Sequence, residues 1–173
     1  MSAPDRSLRG FIALLVCALA FVWYTSNLLP DVVASHFNRA GAATSFLPRS
    51  VYRSVMMIVL LLPTVFLVVM PRVSLRRPDA RINVPNREYW LAPERRAQTA
   101  ALIAQRCTQF GVMLILFLCY AHWLVVHANR EQPPTLSSGW LLGGLVVFLG
   151  STARWAGGLI AHFRNDGAVG ERD

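Results

Sequence analysis

Residues 51–70 read VYRSVMMIVLLLPTVFLVVM, with a single charge, Arg53, close to the start. A helix needs about 20 predominantly apolar residues to cross the hydrocarbon core of a bilayer. A helix that is apolar on every face must be buried or lie in lipid. This stretch is therefore read as a membrane span. Residues 10–29, 107–126 and 139–160 match it in length and character. Spanning strands are excluded, because an unclosed sheet would leave backbone groups unpaired in lipid. The expected fold is all-α: four transmembrane helices in a single domain over residues 1–173, with short outer loops and one basic inner loop.

The composition agrees. Hydrophobic residues make up 54% and charged residues 15% of the 173 positions. A soluble domain usually carries about 25% charged residues, so most of this surface is expected to face lipid. The net charge of +8 comes entirely from arginine, since the chain contains no lysine. A basic balance also suits nucleic acid. Here the arginines flank apolar segments, where they meet lipid headgroups, so the bilayer is the implied partner and nucleic acid is not. Arg39, Arg49, Arg53 and Arg130 fall on one side of the spans, and the other arginines fall opposite. The positive-inside rule then places both termini and the 71–99 segment in the cytoplasm. Trp23, Tyr24, Trp123 and Trp140 are expected at the outer interface, with Tyr89, Trp90 and Trp155 at the inner one.

Smaller features refine this plan. Arg6, Arg9 and the Ala18-Leu19-Ala20 triplet imitate a signal peptide. The apolar run continues through Tyr24, so an uncleaved helix is expected. Pro63 predicts a kink in the second span and Pro71 its end. Gly139, Gly143, Gly150, Gly157 and Gly158 permit close backbone approach, read first as packing within the bundle. Cys17, Cys107 and Cys119 form no CxxC pair and no disulfide framework. Within 71–99, Pro71, Pro78, Pro85 and Pro93 predict an irregular start. Pro93 with Glu94 then suits the first turn of a helix leading into the third span. Residues 165–173 read as a frayed tail.

One outer loop, residues 29–41, reads LPDVVASHFNRAG. Gly41 can take a positive φ and Asn38 can bond nearby backbone, so a fixed turn is expected. Phe37 would pack onto the bundle, while His36 faces either the bundle mouth or water. A capping loop accounts for these residue types. The alternative is a ligand- or partner-binding site made of His36, Phe37, Asn38 and Gly41.

The Leu29-Pro30 pair followed by His36-Phe37-Asn38-x-x-Gly41 resembles the N-terminal domain of unknown function in SdpI-type bacterial membrane proteins. Residues 83–91, NVPNREYWL, also look like a segment that recurs there, with Asn86, Glu88, Tyr89 and Trp90 as its marked positions. The resemblance covers about residues 10–125. It implies a bacterial inner (plasma) membrane protein with a role in toxin immunity or signalling. Four spans depart from the SdpI pattern, which puts the immunity role in question.

Other chemistry is sparse. His36, His122 and Cys119 belong to the same side and suggest a zinc or copper site. The blander reading makes His122 a hydrogen-bonded core residue, and no metal or other cofactor is expected. Arg154, late in the fourth span, reads as an interfacial anchor. Asp79, Glu88, Tyr89 and Glu94 form the one cytoplasmic acid–base set, and salt bridges to neighbouring arginines explain the acids equally well. No phosphate loop, HExxH or GxSxG motif is present, so no enzyme activity is indicated. The leading expectation is a small membrane interaction protein that recognises an envelope partner or peptide at the outer loop. The alternative is an accessory subunit of a larger membrane complex, and a metal-dependent enzyme stands third.

Overall fold

The computed structural model describes residues 3–75 and 84–165. The long helices are α1 (Ala3–Ser26), α2 (Arg49–Ser74), α4 (Pro93–Ala128) and α5 (Ser138–Asn165), and a short α3 (Arg87–Trp90) precedes α4. A hairpin of β1 (Val32–Phe37) and β2 (Ala43–Pro48) joins α1 to α2. All four long helices are long and apolar enough to span a membrane. The chain is thus a multi-pass, all-α membrane protein.

Side-chain contacts set the directions of the helices. Phe11 of α1 and Val68 of α2 meet α4 at Gly111, while Thr25 and Tyr52 meet α4 at His122. So α1 runs parallel to α4, and α2 runs antiparallel to both. On α5, Trp140 meets Tyr120 and Trp155 meets Arg106, which makes α5 antiparallel to α4 as well. The start of α1 and the end of α5 therefore lie at one end of the bundle. The hairpin and the 129–137 connection lie at the other.

Helices α1, α2 and α4 share one core of Phe11, Leu15, Ala18, Val22, Leu60, Val68 and Ile115. Gly111 permits their closest approach, since a Cβ there would sit 3.0 Å from the Phe11 ring and 3.1 Å from Val68. Small residues at such crossings let backbones meet where lipid offers no hydrophobic drive to associate. Outward-facing residues such as Ile58, Leu62, Phe66, Val146 and Val147 stay more than half exposed. On a soluble surface so many would form an aggregation patch. In a bilayer they face acyl chains.

Polar contacts mark the limits of the span. Arg72 donates to Val68 O (2.7 Å) and to Thr108 Oγ1 (2.6 Å), and Trp155 donates to Arg106 O (3.1 Å). From Arg106 to Ala128 is about 33 Å of helix at roughly 1.5 Å per residue, against a hydrocarbon core of about 30 Å. Residues 93–105 of α4 then extend about 20 Å beyond that layer.

Several expectations meet their test here. Pro93 does open α4, with Glu94 in its first turn, and the helix continues into the third span. Pro71 does not end α2, which runs on to Ser74. The turn that follows Pro71 is closed by Leu75 N donating to Pro71 O and by Arg72 on Val68 O, and one turn suffices to carry the helix past the proline. The outer loop is more ordered than a turn, being a two-stranded hairpin above the helix ends. Trp90 is buried in protein, with its indole N–H donating to Phe163 O. Arg76, Arg77, Pro78, Asp79, Arg81, Asn83 and the 166–173 tail lie outside the described residues.

The glycines of α5 depart most from expectation. Only Gly144 is packed, with a Cβ at that position 2.1 Å from the Tyr120 ring. Gly143, Gly150, Gly157 and Gly158 have no atom within 4 Å of an added Cβ. The packing use falls to one residue because α5 rests on α4 alone among the spanning helices. Gly144→Leu should therefore detach α5 and cost about 1–3 kcal/mol, as overpacking does. Gly143→Leu should leave stability within about 0.5 kcal/mol. Unfolding in a mixed-micelle SDS titration separates the two; equal losses would contradict this packing.

Candidate functional site

The hairpin is built from the loop singled out by sequence. Asn38 Oδ1 accepts from Ala40 N (2.9 Å) and Ala42 N (3.0 Å). Asn38 N donates to Ala42 O, and Gly41 N to Asn38 O, each at 2.9 Å. Gly41 sits at φ 82°, in the left-handed region that glycine adopts without strain. Its carbonyl accepts from Leu136 N (2.8 Å), and a Cβ at Gly41 would lie within 2.2 Å of Leu136 O. Ala42 bridges Thr135 and Ser138 Oγ donates to Arg39 O (3.1 Å), so the tip is stitched to the α4–α5 connection.

The base of the hairpin is fixed as firmly. Asp31 and Arg49 form an ion pair at 2.6 Å, and Arg49 also donates to Leu29 O (2.9 Å). Arg53 stacks over Trp23 at 4.1 Å from the ring centre. Beneath the strands, Val33 packs with Leu29, Tyr52 and Val126, while Phe37 packs on Leu124, Ala128 and Leu136.

The decisive contact comes from Asn129, just past the end of α4. Its Oδ1 accepts from Ala34 N (2.8 Å), and its Nδ2 donates to Ala34 O (3.0 Å) and to Val125 O (2.9 Å). Ala34 is fully buried, so its backbone groups would otherwise be orphaned. One side chain thus acts as a one-residue strand along the edge of β1.

Directly below, buried His122 links three helices. Thr25 Oγ1 lies 2.6 Å from Phe21 O and donates its one proton there. It can then only accept from His122 Nε2, at 2.8 Å. That fixes the tautomer with the proton on Nε2, so the Tyr52 hydroxyl donates to Nδ1 at 2.9 Å. Both ring nitrogens are satisfied by hydroxyls.

His36, Phe37, Asn38 and Gly41 thus divide in two. Phe37, Asn38 and Gly41 shape and seat the hairpin, and exposed His36 points to solvent with Ser35 Oγ 3.2 Å from its Nδ1. His36, His122 and Cys119 do not converge, and no group of three or more possible metal ligands occurs among the described residues. The exposed residues of the strands include His36, Thr44, Ser45 and Phe46, the last 51% exposed. The sheet has two strands, so β2 carries an outer edge, touched only at its tip by the Ala42–Thr135 bridge.

At the opposite end, the Asn86–Trp90 segment closes α5. Asn86 Nδ2 donates to Phe163 O (3.2 Å) and Arg164 O (3.3 Å), and Trp90 Nε1 donates to Phe163 O (3.0 Å). The final carbonyls of a helix lack intrahelical donors, and these side chains supply them. Asn86 adopts φ 52°, Trp90 O accepts from Thr99 Oγ1 (2.8 Å), and Arg95 lies 3.8 Å over the Tyr89 ring. Glu88 is exposed.

Sequence reasoning missed Asn129, Tyr52 and Thr25. Each is an ordinary polar residue near a helix end. The one available signal was their position at the membrane edge, where an unpaired polar group is costly.

No family model, no curated protein and no solved structure matches the chain.

Asn129→Leu should cost about 2 kcal/mol or more, because both backbone groups of Ala34 stay buried without partners. His36→Ala should stay within about 0.5 kcal/mol. SDS-titration unfolding of the two variants checks this division; similar losses would refute it.

Proposed function

We propose that this chain is a small membrane interaction protein that recognises an extracytoplasmic peptide segment along the free edge of its hairpin. The observation that carries the reading is the contrast within the hairpin. Ala34 and the Asn38–Ala42 turn are tied down, and Thr44 Oγ1 donates to His36 O, while Phe46 and the His36 side chain remain exposed. An exposed strand edge offers a row of backbone donors and acceptors to an added strand, and side chains beside it supply specificity. Phe46 would provide the apolar contact and His36 the polar one. A pre-ordered platform spares the entropy of ordering a loop on binding.

The arginine distribution supports an orientation with the hairpin outside and both termini in the cytoplasm. The His36-Phe37-Asn38-x-x-Gly41 pattern supports an SdpI-like bacterial inner-membrane protein, with a role in immunity or signalling. On this reading Asn86 and Trp90 are structural, and the basic end of the bundle anchors the chain to inner-leaflet phosphates.

A second reading, an accessory subunit, draws on a separate observation. The spanning window of α5 has none of its residues buried, and its open glycines offer a close-packing face. It predicts co-purification with a larger membrane complex that survives changes to the hairpin.

Phe46→Lys and His36→Ala alter only exposed side chains, so both variants should accumulate and unfold like the parent. Affinity purification in mild detergent, with mass spectrometry of bound envelope proteins, should show partner recovery falling at least ~10-fold, a loss of about 1.4 kcal/mol. Full recovery with both variants would refute recognition at this edge.

A further inference from the structure

Two cavities beside α4 share Trp140 in their linings. The upper one, of about 330 Å³, has His127, Glu131, Thr135 and Ser137 around it together with Trp123, Leu124 and Ala128. The lower one, of about 490 Å³, is an apolar groove between α4 and α5 that runs from Trp140 down to Ser151. We infer that together they hold one phospholipid of the hairpin-side leaflet, with an amine-bearing headgroup above Trp140 and an acyl chain in the groove below.

The dimensions fit that occupant. Trp140 to Ser151 is about 17 Å along α5, roughly half of a 30 Å hydrocarbon core, and so about one leaflet. Of the two cavities, the ionisable side chains His127 and Glu131 border only the upper, and Trp140 lines both, with Trp123 also beside the upper one. Tryptophan rings concentrate where headgroups meet chains. Phe117 and Phe148, stacked at 4.5 Å, form the groove wall. Gly143 leaves the groove open, because its missing side chain has no other atom to meet.

Charge selects the head. Glu131 borders the upper cavity and makes no ion pair among the described residues. Its neighbour Arg130 lines a different pocket, beside Phe21 and Thr25 of α1. That pocket shares Trp123 and His127 with the upper cavity, so Arg130 is near, but the Glu131 carboxylate is not paired with it and would attract an ammonium. The Ser137 hydroxyl and His127 remain as hydrogen-bonding groups for the phosphate, while the Thr135 hydroxyl donates to Pro133 O (3.0 Å). An ethanolamine head meets both demands, whereas a glycerol head leaves Glu131 facing a net negative charge.

The test uses the full-length protein, delipidated in detergent and examined by native mass spectrometry after adding dioleoyl phosphatidylethanolamine or dioleoyl phosphatidylglycerol. The parent should retain a single ethanolamine lipid at concentrations where the glycerol lipid is lost. Gly143→Leu, which fills the groove without touching the fold, should abolish that adduct. Glu131→Gln should keep lipid binding but erase the preference between heads. Matching unfolding curves for both variants would confirm that folding is intact. Equal, unsaturating ladders of both lipids on parent and Gly143→Leu would overturn the proposal. So would a co-purifying protein chain that Gly143→Leu displaces.

Discussion

The pairing of one side-chain amide with one backbone unit sets the geometry of the whole hairpin end. Asn129 meets both the N–H and the C=O of buried Ala34, and its second amide proton caps Val125 O at the end of α4. A hairpin of two short strands is marginal on its own in water. Here it becomes part of the bundle, because its inner edge is completed by the helix that all the others pack against. The seating of Val33 and Phe37, the course of the 129–137 connection and the exposure of the β2 edge all follow from that attachment.

Beneath the hairpin, the same requirement recurs. Lipid offers no hydrogen bonds, so polar groups within the span must find partners inside the protein. His122, Tyr52 and Thr25 meet it as a chain of two hydroxyl–imidazole hydrogen bonds across α1, α2 and α4. Arg72 with Thr108, and Trp155 with Arg106 O, meet it at the arginine-rich end. These bonds act with direction and add to the van der Waals packing that associates helices in lipid. The bundle is thus pinned near both membrane faces and packed on apolar side chains between them. Helix α5 is held more lightly, by Tyr120, the Phe110 and Phe117 rings, the Trp155 bond to Arg106 O and the clamp at its C-terminal end.

Much of this was legible in the sequence, for reasons that are local. Span lengths follow from apolar runs, and the start of α4 follows from Pro93 and Glu94. The turn follows from Asn38 and Gly41, which act on their own neighbours. What escaped was long-range. Ala34 and Asn129 are 95 residues apart, and nothing near either one reveals the other. Val32 to Phe37 reads as a loop because the segment, bounded by Pro30 and the Asn38–Gly41 turn, shows no partner strand of its own in the sequence. It becomes one only when Ala43–Pro48 pairs with it. The α5 glycines misled for the opposite reason, since a small-residue face shows where a neighbour can approach but not whether this chain supplies it. Trp90 resembled an interfacial anchor until the carbonyl of Phe163 claimed its indole N–H.

The account stands on a hairpin that is locked from within and open along one edge. Hydrogen exchange of the protein in lipid nanodiscs, read residue by residue, tests that most directly. Protection at Ala34, Ala40, Ala42 and Leu136 comparable to that of the α4 core, with rapid exchange along the outward edge of β2, is the predicted result. Exchange of Ala34 and Leu136 as fast as that of exposed loop amides would contradict it, and with it the platform on which the proposed recognition depends.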